Sequence, residues 1–215
     1  MTMFSRTPLA LAAACAGALA LLAPAAPASA ANPHQLDPAR MVPALNPDFA
    51  PWSCFEAGRG ITCQGGYTAT YEGVGTSLFC AGEEVVVAGT VRERMTRWHD
   101  ADGRATRTSV HVDVPADALS LPSAGADGPV VTVAGHFNRH YRYPVPGERS
   151  SRVLTEVGAI YLVRGPDGGR LLLHDTGTVT FAPGLDFEVV DRMSGRHDFY
   201  ADQSSLQLAV CDALT

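Results

Sequence analysis

The chain has 215 residues, 46% of them hydrophobic, and a formal net charge of −6 from 22 acidic and 16 basic side chains. That acidic balance argues against a nucleic-acid partner. Every basic residue is arginine, which removes Schiff-base chemistry and any lysine-dependent phosphate loop. A GC-rich coding bias toward Ala, Gly, Pro and Arg is the simplest source of the imbalance.

Residues 1–30 read as a secretory signal, with Arg6 near the start, an apolar run over 9–23 and the small-residue ending Ala28-Ser29-Ala30. The run is shorter than the ~20 residues needed to span a bilayer, and Pro24 and Pro27 follow it, so no membrane span is expected. A lipoprotein signal at Cys15 is the weaker alternative, because Ala12 stands where such signals usually carry leucine. Export implies a secreted, extracellular protein. The 185 residues left after removing 30 from 215 suit one domain.

Prolines 33, 38, 43, 47 and 51 interrupt any regular element, so 31–51 reads as a flexible or surface-hugging leader before a single domain over 52–215. From there strands and turns alternate. Candidate strands cover 61–71, 84–99, 104–114, 129–143, 152–164, 171–181, 187–192 and 206–211, with turns at "DADGR" (100–104), "PVPGERSS" (144–151) and "GPDGGR" (165–170). No segment carries the spacing of a long amphipathic helix, though 115–121 or 198–204 has room for a turn or two. About eight hairpin-linked strands predict an all-β fold, an antiparallel up-and-down β-barrel, with a two-sheet β-sandwich as the alternative. The barrel is preferred because closure removes exposed edges from strands this long.

Four cysteines remain after export, an even number that reads as two disulfides. Cys54 with Cys63 and Cys80 with Cys211 is the favoured pairing, one bridge local and the other joining the ends of the domain. No cysteine pair or Cys/His cluster has zinc-ligand spacing.

Period-two sorting gives each long strand an apolar face. In 84–99 that face is Val85, Val87, Gly89, Val91, Glu93, Met95 and Arg97, and in 129–143 it is Val131, Val133, Gly135, Phe137, Arg139, Tyr141 and Tyr143. In 171–181 it is Leu171, Leu173, Asp175, Gly177, Val179 and Phe181. Glu93, Arg139 and Asp175 thus each stand among apolar neighbours. An unpaired ion in a dry interior costs several kcal/mol, so they must pair, stay wet or change protonation.

Other chemistry finds less support. His136 and His140 share a face but lie roughly 13 Å apart by strand rise, too far for one metal. His111, Asp113 and His174 join them only if the register allows, and no metal site is expected. "HDADG" has the start of a calcium loop without its later glutamate, and reads as a hairpin turn. No G-x-S-x-G elbow, H-E-x-x-H or nucleotide loop is present, so no catalytic residue and no cofactor is assigned. Glu93 with Asp175 is the one conceivable acid/base pair.

The succession W-S-C, C-Q-G, F-C-A-G, V-A-G-T, T-R-W-H-D-A-D-G-R and H-D-T-G, covering most of 52–214, resembles small secreted β-barrel proteins of actinobacteria that mostly lack an assigned function. Such barrels are similar to calycins and to the allene oxide cyclase barrel. The resemblance implies a fold able to hold small apolar molecules and no transferable catalytic residue. The expected function is binding of a small apolar or amphipathic molecule inside the barrel, with Glu93, Arg139 and Asp175 as polar anchors and Tyr141 and Phe137 lining the site. A secreted interaction or inhibitor module with a protein partner, working through loops 115–128 and 143–151, is the alternative, and a filled core would favour it. An isomerase or cyclase-type enzyme using the same interior is the third reading.

Overall fold

The computed structural model describes residues 35–166 and 168–215, so the signal expected over 1–30 lies outside the described residues. Eight strands follow in chain order: β1 (Ser53–Ala57), β2 (Gly60–Cys80), β3 (Glu83–His99), β4 (Ala105–Ser120), β5 (Val131–Arg142), β6 (Val153–Arg164), β7 (Leu171–Phe181) and β8 (Val190–His197). They form one sheet in the order β1 to β8, each antiparallel to the next. The expected up-and-down order is therefore present, but no ladder joins β8 to β1, and the sheet stays open. One core cluster nevertheless draws on β1 through β7, including Cys54, Ile61, Val91, Val110, Phe137, Leu154 and Phe181. A single sheet brings seven strands to one core only by curling around it.

Glycine explains part of the curl. Gly158, Gly177 and Gly195 stand in register across β6, β7 and β8, with φ of 134°, 135° and 114°. A Cβ there would sit 2.7, 2.1 and 2.2 Å from the carbonyl oxygens of His136, Ser194 and Thr176, so only glycine fits. Three adjacent strands share one bend because no side chain stands in its way.

Four strands differ from the sequence reading: β1 is not anticipated there, β8 spans Val190–His197 rather than 187–192, and β2 and β4 run on through bulges. β4 continues past Pro115 to Ser120 because a register shift between Val114 and Asp117 takes up the proline outside the ladder. β2 extends to Cys80 across shifts at 71–74 and 75–79. The expected loop over 115–128 is correspondingly shorter.

The C-terminal segment corrects the expectation of a strand at 206–211. It is helical, α1 (Asp198–Ala201) followed by α2 (Ser204–Leu214). Val210 and Leu214 of α2, one turn apart, are buried in a second cluster with Val85, Leu119, Val131, Val163 and Leu173. The Cys80–Cys211 disulfide ties α2 to the end of β2, and Cys54–Cys63 bridges β1 and β2, both as expected. No described helix is long and apolar enough to cross a membrane.

The expected domain start at Trp52 also moves. Met41 and Phe49 are buried in the main cluster, and Val42 exchanges backbone hydrogen bonds with Gly103 (2.8 Å) and Ala105 (2.7 Å). Prolines that exclude regular structure are used here to start 3-10 turns at Pro38–Arg40 and Pro47–Phe49, capped by the side chains of Asp37 and Asn46. Residues 35–51 are thus part of the fold.

Candidate functional site

Strand register sets three rows of inward side chains. Tyr67, Glu93, Val112, Phe137 and Gly158 form the first; Gly65, Met95, Val110, Arg139, Glu156 and Val179 the second; Cys63, Arg97, Thr108, Tyr141 and Leu154 the third. Four of the five residues expected to line a site, Glu93, Phe137, Arg139 and Tyr141, therefore come together on adjacent rows.

Arg139 is the centre. Its Nε donates to Glu156 Oε1 at 2.8 Å and its Nη1 to Glu93 Oε1 at 3.4 Å, while the Tyr200 hydroxyl donates to Glu156 Oε2 at 2.6 Å. The guanidinium carbon lies 5.1 Å from the Phe137 ring centre and 5.4 Å from that of Phe187. Burial opposes the charge on Arg139, but the attraction of Glu156, backed by Tyr141 and Glu93, more than offsets it and holds the guanidinium protonated above its ordinary range. The Glu156 side chain is 1% exposed, Glu93 14% and Arg139 26%, so the cluster runs from a dry floor to a wet rim.

Asp175 is placed differently. It is completely buried, accepts from the backbone N–H of Phe199 (2.9 Å) and Tyr200 (3.5 Å), and lies 3.4 Å from His197 Nδ1. His197 in turn donates from Nε2 to the Ser194 carbonyl at 3.0 Å. Burial raises the Asp175 pKa, and the hydrogen bonds from Phe199 and Tyr200 pull it back. The expected ligand anchor is thus occupied in holding α1. Through α1 it fixes Tyr200 over Glu156, so one chain of contacts runs Asp175, α1, Tyr200, Glu156, Arg139, Glu93. The three lone charges of the sequence reading belong to one network, whose middle members, Glu156 and Tyr200, that reading missed. Two carboxylates do meet on one cation, but they are Glu93 and Glu156. Glu93 and Asp175 share no partner, and no acid/base pair forms between them.

Hydrogen-bonding capacity is left over in the third row. Arg97, 5% exposed, donates from Nη2 to the Pro43 carbonyl at 2.7 Å and from Nη1 to that of Ala44 at 3.2 Å, while its buried Nε has no partner. The neighbouring Thr108 Oγ1 is also buried and unpartnered, as are both ring nitrogens of His99. Burial, reinforced by Arg97, lowers the His99 pKa to about 4. Tyr141, half-buried, has the Arg152 guanidinium 5.1 Å from its ring centre, and its hydroxyl makes no hydrogen bond among the described residues. Burial, against the pull of Arg139 and Arg152, pushes that hydroxyl up to about 12. Arg152 is ion-paired with Asp186 in the β7–β8 loop.

The interior is packed rather than hollow, with Leu154, Val179, Phe181 and Glu156 at 1% exposure or less. Two surface recesses lie elsewhere. One, about 280 Å³, is bounded by Leu36, Arg40, Glu56 and Arg59; the other, about 590 Å³, by Trp98, Arg107, Arg142 and Tyr143. On the outer face His111 and His136 meet ring edge to face at 4.7 Å, with Asp113 3.5 Å from His136. No cluster of three metal-ligating side chains occurs among the described residues.

No protein-family model, curated protein or solved structure matches the chain.

Proposed function

We propose that the chain is an exported binding protein that takes a small, partly apolar molecule at the rim of its concave face. Arg139, Glu93 and Tyr141 are the polar contacts, and Phe137 and Phe187 the apolar walls. The observation that carries this reading is the unspent hydrogen-bonding capacity along one strand-to-strand row: Arg97 Nε and Thr108 Oγ1, buried without partners, next to the free Tyr141 hydroxyl. Buried polar groups are normally satisfied, and each one left bare costs about 1–3 kcal/mol. A hydroxyl or carbonyl of the ligand that reaches past Tyr141 to these two atoms answers that cost. Because Glu93 and Glu156 already outnumber Arg139, the ligand is neutral rather than a carboxylate. Asp175 acts from behind, by holding Tyr200 on Glu156. Calycin-like barrels of actinobacterial secreted proteins remain the kinship this function fits, and the two disulfides suit an oxidising extracellular setting.

Native mass spectrometry of the oxidised protein tests the reading. A co-purifying small molecule, retained by wild type and lost in Tyr141→Phe at unchanged circular dichroism, supports it. Bare protein at its sequence mass, from cells and medium that normally support secretion, overturns it.

The packed interior favours the second reading, a protein-interaction module. Leu185, Phe187 and Val189 in the β7–β8 loop are 41%, 41% and 47% exposed, beside the unpaired edge of β8. Capture of a partner that survives Tyr141→Phe but is lost in Leu185→Ser favours this module.

A further inference from the structure

On the outer face of the sheet, at the end of β3, β4 and β5, register lines up Trp98, Arg107 and Arg142. Arg107 and Arg142 stand directly opposite each other across two strands. Like charges in that position repel, and such pairs are disfavoured unless something negative lies between them. Neither has a carboxylate partner among the described residues, although the chain as a whole is acidic. The Arg107 guanidinium is not loose, because its carbon sits 3.8 Å above the centre of the Trp98 ring, which fixes its plane and leaves its N–H edge free. Tyr143 and Pro144 complete an open recess of about 590 Å³ beside the two cations. His140, two residues before Arg142 on the same face, is also exposed. Its pKa is lowered, first by burial and then by Arg107 and Arg142, so it adds little positive charge at neutral pH.

The other recess makes a useful contrast. There Arg40 and Arg59 are accompanied by Glu56, so charge is partly balanced within the recess itself. At Arg107 and Arg142 no carboxylate among the described residues balances it.

We propose that this outer recess is a second binding site, for an oxyanion carried on a flat organic body, such as an aromatic or cyclic carboxylate, sulfate or phosphate ester. The oxyanion bridges Arg107 and Arg142, whose planar donors suit bidentate contact with such groups. The flat body lies along Tyr143 and Pro144, or on the open face of the stacked Arg107 guanidinium. The site is separate from Arg139, which lies on the opposite face of β5.

The test is a titration followed by amide and indole nitrogen–proton correlation spectra of the oxidised protein, with phenyl phosphate, inorganic phosphate and phenol as probes at constant ionic strength. Phenyl phosphate is expected to give saturable shifts at the Trp98 indole and at the amides of Thr106, Arg107, Arg142 and Tyr143, with at least about fivefold higher affinity than inorganic phosphate. Phenol gives none. Arg107→Gln and Arg142→Gln each lower the phenyl phosphate affinity about tenfold. Both side chains are exposed, and Arg142→Gln relieves the repulsion, so its melting temperature stays level or rises, whereas Arg107→Gln also gives up the stacking on Trp98. Equal affinity for the two phosphates means charge attraction alone and overturns the flat-body half of the proposal. Shifts that persist in both glutamine variants, or the absence of saturation with any probe, overturn the site.

Discussion

Replacing Arg139 with leucine removes the cation on which Glu93 and Glu156 converge. The Glu156 carboxylate, 1% exposed, then keeps only the Tyr200 hydroxyl, and Glu93 faces it with nothing between. Breaking a buried ion pair from one side costs about 3–5 kcal/mol. Because the Arg139 side chain is 26% exposed, water reaches the stranded carboxylates, which places the loss at about 3 kcal/mol. A carboxylate stranded without its cation is penalised only while ionised, so the loss is full at neutral pH and shrinks as acid is added. Urea unfolding followed by circular dichroism at pH 7.5 and pH 5 reads both quantities. The stability gap between Arg139→Leu and wild type should narrow at the lower pH, and Arg139→Leu with Glu156→Leu should recover most of the loss. A gap below about 1 kcal/mol, equal at both pH values, is the behaviour of a solvated surface pair and refutes the network.

Three further outcomes follow from the same geometry. Thr108→Val removes a buried hydroxyl that has no partner, so the ligand-free protein should gain about 1 kcal/mol in urea unfolding while retention of the co-purified molecule falls. A loss of stability shows instead that Thr108 is already satisfied. His99 has a folded pKa of about 4 against an ordinary 6.5, so the unfolded chain takes up a proton that the folded one refuses. Stability should fall by up to about 3 kcal/mol as pH drops from 6.5 to 4, and His99→Phe should flatten that slope. An unchanged slope excludes His99 as its source. Cys80 and Cys211 close a loop of 131 residues and Cys54 and Cys63 one of 9, so Cys80→Ala with Cys211→Ala should cost about 5 kcal/mol and the other pair about 2.5 kcal/mol by loop entropy. The reverse ranking in denaturant midpoints contradicts the long bridge as the main staple.

How much of this was legible in the sequence differs from element to element. β7 was read to its observed limits, because Leu171–Phe181 alternates cleanly between turn signals. The "DADGR" hairpin formed as expected: Asp100 accepts from the backbone of Asp102 and Arg104, and Gly103 takes φ of 83°. Period-two sorting also put Glu93 and Arg139 on facing rows. The same sorting of 152–164 places Leu154, Glu156 and Gly158 on one face, so the partner of Arg139 is legible in that periodicity. Tyr200 was out of reach, because no strand periodicity places a residue on a four-residue helix that a carboxylate of another strand holds in position. The run at 206–211 misled for a familiar reason: a short apolar stretch has no period of its own. Extending the window to Leu214 shows Leu206, Val210 and Leu214 at helical spacing, the stripe that packs against Val131 and Leu173. The proline-rich leader misled in the other direction, since prolines that forbid strands and long helices leave a segment free to pack as capped turns.

The most direct measurement is a high-resolution crystal structure of the oxidised wild-type protein, refined with particular attention to the space between Arg139, Tyr141, Thr108 and Arg97. Electron density for an ordered organic molecule is expected at the Arg139 rim, with a hydroxyl or carbonyl oxygen within about 3 Å of the Tyr141 hydroxyl or of the Arg139 guanidinium. Ordered water alone, bonded to Thr108 Oγ1, Arg97 Nε and the Tyr141 hydroxyl, would satisfy every spare group without a ligand and contradict that expectation.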